Sequence, residues 1–344
     1  MVDFSVVICT FNGANRLPQV LEDLKRQQVI QSLDWEVIVV DNNSCDRTPE
    51  IVQTYQQTWL PLVPLRYCFE PRQGIAYARR CALDHSTAPL VGFLDDDTQP
   101  SPTWVQAAYD FGQSHPQAGA YGSAIQAQTE VPLPPQFERI APLLAIIDRG
   151  PHPFAYQGRH SVLPAGAGMV VRRQAWDACV PTHPHLRGVN GTSLAQKGED
   201  VETLSYIRDG GWQVWHNPAM AIAHHLPAHR LQRPYLANLG RAIGLSRWPL
   251  RRLRHRPWQR SWVCLAYGLN DLRRLVVYGL CHGLPLVQGD AVCACEWSLR
   301  LYSLLSPLYD LWQTLTPAMP TAQLPSPTPY GWSPPSPPPY PVES

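Results

Sequence analysis

The chain has almost no net charge. Its 28 Lys and Arg residues nearly cancel 27 Asp and Glu, leaving +1, which excludes a global electrostatic pull toward nucleic acid or membrane and makes any such attraction local. It has no clean apolar run of membrane-spanning length: Trp262 to Leu286 is broken by Asp271, Arg273 and Arg274, and Val292 to Trp312 by Glu296 and Arg300. It shows no basic, apolar leader, because Met1-Val-Asp-Phe4 passes straight into strand-like sequence, and a cytoplasmic protein is expected. Its nine cysteines, an odd number scattered from Cys9 to Cys295, do not form a secreted disulfide framework; a reducing compartment is expected. Cys293-Ala-Cys295 lacks the second pair that a zinc site needs. There is no Walker A sequence, no Gly-x-Ser-x-Gly elbow and no His-Glu-x-x-His, which removes P-loop, hydrolase-elbow and zinc-protease chemistry.

What the chain has is alternation. Hydrophobic residues at 44% and aromatics at 10% over 344 residues are enough for one large α/β domain with an appendage, or for two domains. Phe4 to Thr10 reads as a buried strand, Asn12-Gly13 as a turn, and Leu17, Val20, Leu21 and Leu24 recur at helical spacing. The unit repeats: Trp35 to Val40 is a strand, and Asp46, Thr48 and Pro49 start a helix. Leu65 to Phe69 is a strand, Gly74 precedes a helix over Ile75 to Leu83, and Leu90 to Leu94 is a fourth strand. Such alternation predicts a parallel, doubly wound sheet, with Thr10, Asp41 and Asp95 to Asp97 converging beyond the strands' carboxyl ends.

Residues 99 to 159 are richer in proline and turn residues, with an apolar helical segment predicted near Ile140 to Ile147. We read this region as the transition to an acceptor half. Val162 to Val171 reads as a glycine-punctuated strand region, Arg173 to Ala178 and Glu199 to Asp209 as helices. From Arg230 to Arg260 arginines interleave with Trp248, Trp258 and, just beyond, Trp262. The two interrupted apolar segments that follow are expected to be amphipathic helices that cap the catalytic domain or lie on a bilayer surface. The proline-rich segment from Pro317 cannot make a core and is expected to be disordered or polyproline-like.

The chemistry is concentrated in acids. The apolar run Leu90 to Leu94 delivers Asp95-Asp96-Asp97 at its end, and carboxylates in such a place need a cation or partner. One acid would serve as a helix cap; three exceed that need. Hard oxygen ligands favour Mg²⁺ or Mn²⁺, which commonly share carboxylates with substrate phosphates, so a nucleotide-linked donor is expected. Asp97 is assigned to the metal and Asp95 or Asp96 to metal or ribose. Glu199-Asp200 could be only a helix's first-turn acids, but sugar transfer to a hydroxyl needs a carboxylate base. Asp200 is the candidate base, with Glu199 orienting it or touching the acceptor. His224-His225 and His229 do not make a zinc site, since Pro227 interrupts the helix that would align them. One histidine, His224 before His225, is expected to complete the metal's coordination or contact the diphosphate. Gly74 at a helix start with Arg79 and Arg80 following suits an anionic ligand. Gly166-Ala-Gly168 falls short of a dinucleotide fingerprint. The arginine and tryptophan zone reads either as a solvated face with buried tryptophans or as a site for anionic lipid or a lipid-diphosphate acceptor rather than nucleic acid.

Val6-Val-Ile-Cys-Thr10-Phe-Asn12, Val39-Val-Asp41-Asn-Asn-Ser44, Gly74 with Ala78-Arg79, Phe93-Leu-Asp95-Asp-Asp97, Gly166-Ala-Gly168 and Gly198-Glu-Asp200 together resemble a family 2 glycosyltransferase of the GT-A fold over most of residues 3 to 230. Ile8 to Leu21, Glu199 to His225 and Gly240 to Arg247 are similar to bacterial exopolysaccharide enzymes such as the hormogonium polysaccharide biosynthesis glycosyltransferases of cyanobacteria. The resemblance implies a Rossmann-like α/β domain, its mostly parallel sheet flanked by helices, over residues 1–229, with a nucleotide-sugar half to about residue 100. A helical extension over 230–316 and a tail over 317–344 follow. It implies nucleotide-sugar binding by Thr10, Asn12, Asp41, Asn43, Gly74, Arg79, Asp95 and Asp96, and a Mg²⁺ or Mn²⁺ ion on Asp97, Asp95 and His224. Asp200 then serves as base and Glu199 as its catalytic neighbour in an inverting displacement.

The family's first motif usually carries proline where Cys9 stands. Processive members carry Gln-x-x-Arg-Trp and several membrane spans, whereas Gly244 holds the glutamine position before Arg247-Trp248, so single-sugar transfer is expected. The expected donor is a UDP-sugar and the expected acceptor a glycan or lipid-linked hydroxyl in exopolysaccharide or cell-envelope glycan synthesis. No nucleic-acid partner is expected; the cytoplasmic face of the inner membrane is a candidate surface. A sugar nucleotidyltransferase would need a basic glycine-rich signature near the first strand, which Thr10 to Asn15 lacks. A non-catalytic nucleotide-sugar scaffold is the other alternative.

Overall fold

The computed structural model describes residues 2–29, 33–157, 163–183, 185–186, 188, 197–287 and 289–315; the proline-rich tail lies outside them. The first half follows the β-α alternation: β1 (Phe4–Thr10), α1 (Leu17–Lys25), β2 (Trp35–Asp41), α2 (Thr48–Gln57), β3 (Leu65–Phe69), α3 (Ile75–His85) and β4 (Leu90–Asp95). Strands β1, β2 and β4 are apolar on both sides because both sides are covered. Phe4, Val6 and Ile8 of β1 pack with Val37 and Val39 of β2 against Leu17, Leu21 and Leu24 of α1. Val7, Ile38 and Val40 face the opposite layer with Ala78 and Ala82 of α3. Full burial of each such aliphatic side chain contributes about 1.5–3 kcal/mol, so the period-2 pattern fixes both faces at once.

The second half comprises β5 (Thr98–Pro100), α4 (Trp104–Ser114), β6 (Ala118–Thr129), β7 (Phe154–Ala155), β8 (Met169–Arg172), α5 (Arg173–Cys179), α6 (Glu199–Asp209) and β9 (Gln213–Leu226). The sheet runs β3-β2-β1-β4-β8-β6-β9-β5, with β7 also on β9. Pairings among β1 to β4 are parallel, but β8 is antiparallel to both β4 and β6, and β5 and β7 are antiparallel to β9. The sheet is therefore parallel in its first half and mixed in its second.

Three local expectations change. Residues 99–159 hold α4 and the long strand β6, rich in alanine and glycine, whose strand propensity is weak and whose pairing comes from its neighbours. β9 was not legible because Pro218 lies within it; a register shift beside β6, where Ser123 pairs with Asn217 but Ala124 with Ala221, absorbs the proline as a bulge. The helix expected near Ile140 to Ile147 is only a 3₁₀ turn, Ala141–Leu144. Left-handed Ala145 ends it, with φ 60°, and Ile147 bridges to Ile125 of β6.

Beyond β9 come α7 (Arg233–Leu245), α8 (Arg247–Leu253), α9 (Arg260–Val287) and α10 (Ala291–Leu315). A Cβ on Gly240 would lie 2.2 Å from the Cys295 carbonyl oxygen and one on Gly244 2.9 Å from that of Leu299, so these glycines let α7 lie directly on α10. Gly244, at the position of the glutamine in processive enzymes, is thus a packing residue. No helix among the described residues is long and apolar enough to cross a membrane.

Candidate functional site

The parallel register brings the expected residues together. Thr10 pairs with Asp41 at the ends of β1 and β2, and Cys9 pairs with Asp95 at the end of β4, so three loops open at one edge, where ligands of such sheets bind. There they line a cleft of about 400 Å³ with Thr10, Asn12, Asn42, Asp95, Asp96, Asp97, His224 and Arg230, a size typical of small-molecule sites.

The three aspartates have different surroundings. Asp96 accepts from Thr10 Oγ1 at 2.6 Å and from Arg16 Nε and Nη2, both at 2.9 Å; burial still pushes its carboxyl up, against the opposing pull of Arg16. Asp97 accepts from Arg230 at 2.8 Å and faces His224 Nε2 at 3.5 Å. Burial pushes this carboxyl up, but His224 and Arg230 outweigh it and hold it well below the usual range. The Asp95 carboxylate accepts no hydrogen bond from any described residue. Burial, reinforced by the Asp97 charge, raises it to about 6 despite Arg79. A carboxylate left uncompensated among acids is a place for added positive charge.

His224 is positioned by β9, not by a helix. Alternation along the strand buries His224 and turns His225 outward toward Glu130, 3.5 Å away. His224 Nδ1 lies 3.0 Å from the Leu144 carbonyl, which can only accept, so Nδ1 carries a proton and Nε2 faces Asp97. Among the described residues no three His, Cys, Asp or Glu side chains converge as a preformed metal cage. The donor set nonetheless fits a hard divalent cation: Asp95 lacks a partner, Asp97 and His224 face one point, and such ions take their remaining ligands from phosphates and water. Arg230 Nη1 currently occupies that point, 2.8 Å from Asp97 and 3.5 Å from His224.

The second acid pair meets the first through Arg79. This arginine is 3% exposed, 3.6 Å from Glu199 Oε1 and 5.6 Å from the Phe93 ring centroid. Burial works against its charge, but Glu199, Asp95 and Asp200 outweigh that and push the guanidinium's pKa up. Its Nη1 is buried without a hydrogen-bond partner among the described residues. Glu199, 8% exposed, is raised by burial and by Asp200, against Arg79. Asp200 accepts from the Gly166 amide at 2.9 Å and from the Val201 amide at 2.7 Å, which fixes its carboxylate.

Four other expected residues shape the loops. Asp41 is fully buried, accepting from Tyr67 Oη and the Ser44 amide, both at 2.8 Å, and Asn42, not Asp41, reaches the cleft. Asn42 also accepts the Gly74 amide at 2.8 Å. Gly74 has φ 134°, a conformation that favours glycine, and begins α3. Asn12 is left-handed at φ 49° and accepts the Cys45 amide at 2.9 Å; Asn43 is left-handed at φ 64° and exposed. Burial pushes the Cys9 thiol beside the cleft up to about 12, so it is an inert wall.

Arg16, Asn42, Lys197 and Arg230 line the cleft without having been singled out in the sequence as site residues. Arg16 left one signal. It is the N-cap of α1, where the helix dipole disfavours a cation, so a nearby anion could have been inferred. Arg230 left none, because 133 positions separate it from Asp97.

The family model described as Glycosyl transferase family 2 matches residues 5–177. The validoxylamine A glucosyltransferase of Streptomyces hygroscopicus subsp. jinggangensis is 35% identical over 105 residues, 30% of this chain and 24% of that protein. The minor teichoic acid biosynthesis protein GgaA of Bacillus subtilis is 27% identical over 110 residues, 31% of this chain and 24% of that protein. The match thus spans about a quarter of the length of these relatives. Among solved structures, S. aureus TarS 1-349 in complex with UDP-GlcNAc is 14% identical with a TM-score of 0.48, covering 90% of this chain and 92% of that chain.

Proposed function

The chain belongs to glycosyl transferase family 2, and on that premise we propose that it transfers a sugar, with inversion, from a UDP-sugar to an acceptor hydroxyl on a glycan or lipid-linked carrier in envelope or exopolysaccharide synthesis. The observation that carries this reading is the coupling of two acid sets through one buried arginine: Asp95, at the cleft, and Glu199 and Asp200 all act on the charge of Arg79. Division of labour follows residue by residue. Asn12 and Asn43 present polar groups from the first two loops to the nucleotide, on a frame that Asp41, Asn42 and Gly74 hold. Asp96, clasped by Arg16 and Thr10, stands beside the ribose. Asp95, Asp97 and His224 would hold Mg²⁺ or Mn²⁺, which when bound supplies Lewis-acid neutralisation of the departing diphosphate.

Asp200 takes the proton of the acceptor hydroxyl as its oxygen bonds to the anomeric carbon, and the bond from that carbon to the diphosphate breaks on the opposite face. Two amide donors hold Asp200 in place, and Glu199, 3.6 Å from Arg79, is the neighbouring carboxyl. Arg230 and Arg16 place two guanidinium groups where the diphosphate charge grows. Residues 1–229 form the catalytic part in this reading and residues 230–316 a helical extension. The test is a thermal-shift panel of nucleoside diphosphates and nucleotide-sugars with and without Mn²⁺, followed by donor hydrolysis. Metal-dependent stabilisation by one donor with hydrolysis lost in Asp200→Asn supports the proposal; silence across the panel overturns it.

A further inference from the structure

A second cavity, about 450 Å³, lies among α8, α9 and α10, and Leu143 of the 3₁₀ turn lines both it and the acidic cleft. Its chemistry is the opposite of the cleft's. Arg139, Arg247, Arg251, Arg273, Arg274 and Arg300 face it, against two carboxylates, Asp271 and Glu296. Both acids are already engaged: Arg251 Nη2 donates to Asp271 at 2.9 Å, and Arg139 and Tyr278 donate to Glu296. Arg247 and Arg274 make no hydrogen bond or ion pair with any described residue, and Arg273 reaches only Asn270 of its own helix, at 3.3 Å. Unneutralised guanidinium groups around a cavity call for an anion with several oxygens, which their planar donor forks match.

The outer face of α9 continues from this cavity as an apolar stripe. Trp262, Leu265, Leu269, Leu272, Val276 and Leu280 recur three or four residues apart and are 46–83% exposed, while Asp271, Leu275 and Tyr278 on the opposite side are buried. Trp258, just before the helix, is 71% exposed. A monomer rarely leaves such a ridge in water. Uncompensated arginines beside an apolar ridge bearing tryptophan are complementary to a bilayer surface, which offers phosphate and hydrocarbon side by side.

We propose that the arginine cavity takes the phosphate of an anionic lipid while the Trp262 to Leu280 stripe of α9 lies in the bilayer interface, holding the acidic cleft next to the membrane. The assignment stands on charge and exposure and does not depend on what the cleft catalyses. The experiment is co-sedimentation of the full chain with vesicles of phosphatidylcholine alone or mixed with phosphatidylglycerol. We expect binding to the anionic vesicles only, weakened about tenfold or more in Arg247→Gln/Arg274→Gln, since each surface cation contributes about 1 kcal/mol. Leu269→Ser/Leu272→Ser should lose binding as well. All four side chains are exposed, so circular dichroism should be unchanged, and nucleotide-induced thermal shifts should persist. Equal binding to neutral vesicles, or full binding by the arginine variant, overturns the proposal. So does protection of the chain by soluble diphosphate with no vesicle binding, which would make the ligand a free phosphate. Self-association abolished by the leucine variant while vesicle binding stays intact would make the stripe a protein interface and overturn it too.

Discussion

Arg230 donates to Asp97 at 2.8 Å while remaining 3.5 Å from His224 Nε2, so one guanidinium bridges the two side chains that the metal assignment shares. Positive charge is required at that point whether a metal ion or an arginine supplies it.

Replacing Arg230 with Met should therefore separate two effects. Leaving Asp97 largely buried without its partner should destabilise the free protein by about 1–3 kcal/mol, and Mn²⁺ should recover much of that loss. The donor KM should rise about tenfold, the order expected for one lost charged contact. Thermal melts with and without Mn²⁺ check the first effect and donor-hydrolysis kinetics the second.

Asp95 gives a pH prediction with a definite sign. Its folded pKa, about 6, lies above the ordinary 3.8, so the folded state binds this proton more tightly. Its contribution to stability is most favourable below the unfolded pKa and is lost as pH rises through 6. Asp95→Asn should therefore melt higher than the parent at pH 7.5, by an amount on the order of 1–3 kcal/mol, with the advantage gone near pH 4. Metal-induced stabilisation of the parent should fall as pH drops below 6, and a pH series of melts with and without Mn²⁺ would show both.

Asp200→Asn can keep only one of its two amide contacts, because Gly166 and Val201 donate to different carboxylate oxygens and the amide that replaces them has a single acceptor oxygen; it removes the proposed base. Transfer should fall by about 10²–10⁴-fold with nucleotide binding by calorimetry nearly unchanged. Retained turnover would move the base elsewhere.

Gly13→Ala would place a Cβ 1.9 Å from Thr10 Oγ1 and 2.6 Å from Asp96 Oδ2. The hydrogen bond between those two atoms must break, so donor binding should weaken by about tenfold, near 1.4 kcal/mol. Arg16, still able to hold Asp96 from the other side, should keep the fold intact by circular dichroism.

The parallel half of the sheet was legible because its physics is local. Strands β1, β2 and β4 are buried on both faces and advertise it as unbroken apolar runs, and α1 and α3 show helical periodicity against them. The edge where ligands bind follows from that alternation alone, which is why Thr10 and Asp95 to Asp97 could be placed from their positions in sequence. The second half hid its strands. β6 is spelled in alanine and glycine and β9 contains a proline, so their identity comes from the partners they meet.

The amino-acid sequence by itself determined the β-α order, the acid sets and the family likeness, since each rests on short-range pattern. Only the tertiary structure decided how the acids are satisfied. Arg16 clasps Asp96 across 80 residues, Arg230 reaches Asp97 across 133, and strand alternation in β9 chooses His224 over His225. Nor could the sequence tell which arginines of the basic zone are spent in pairs, as Arg251 is on Asp271 and Arg252 on Asp310, and which are left facing a cavity. Charge pairing acts through space at a few ångströms, and only the folded chain sets those distances.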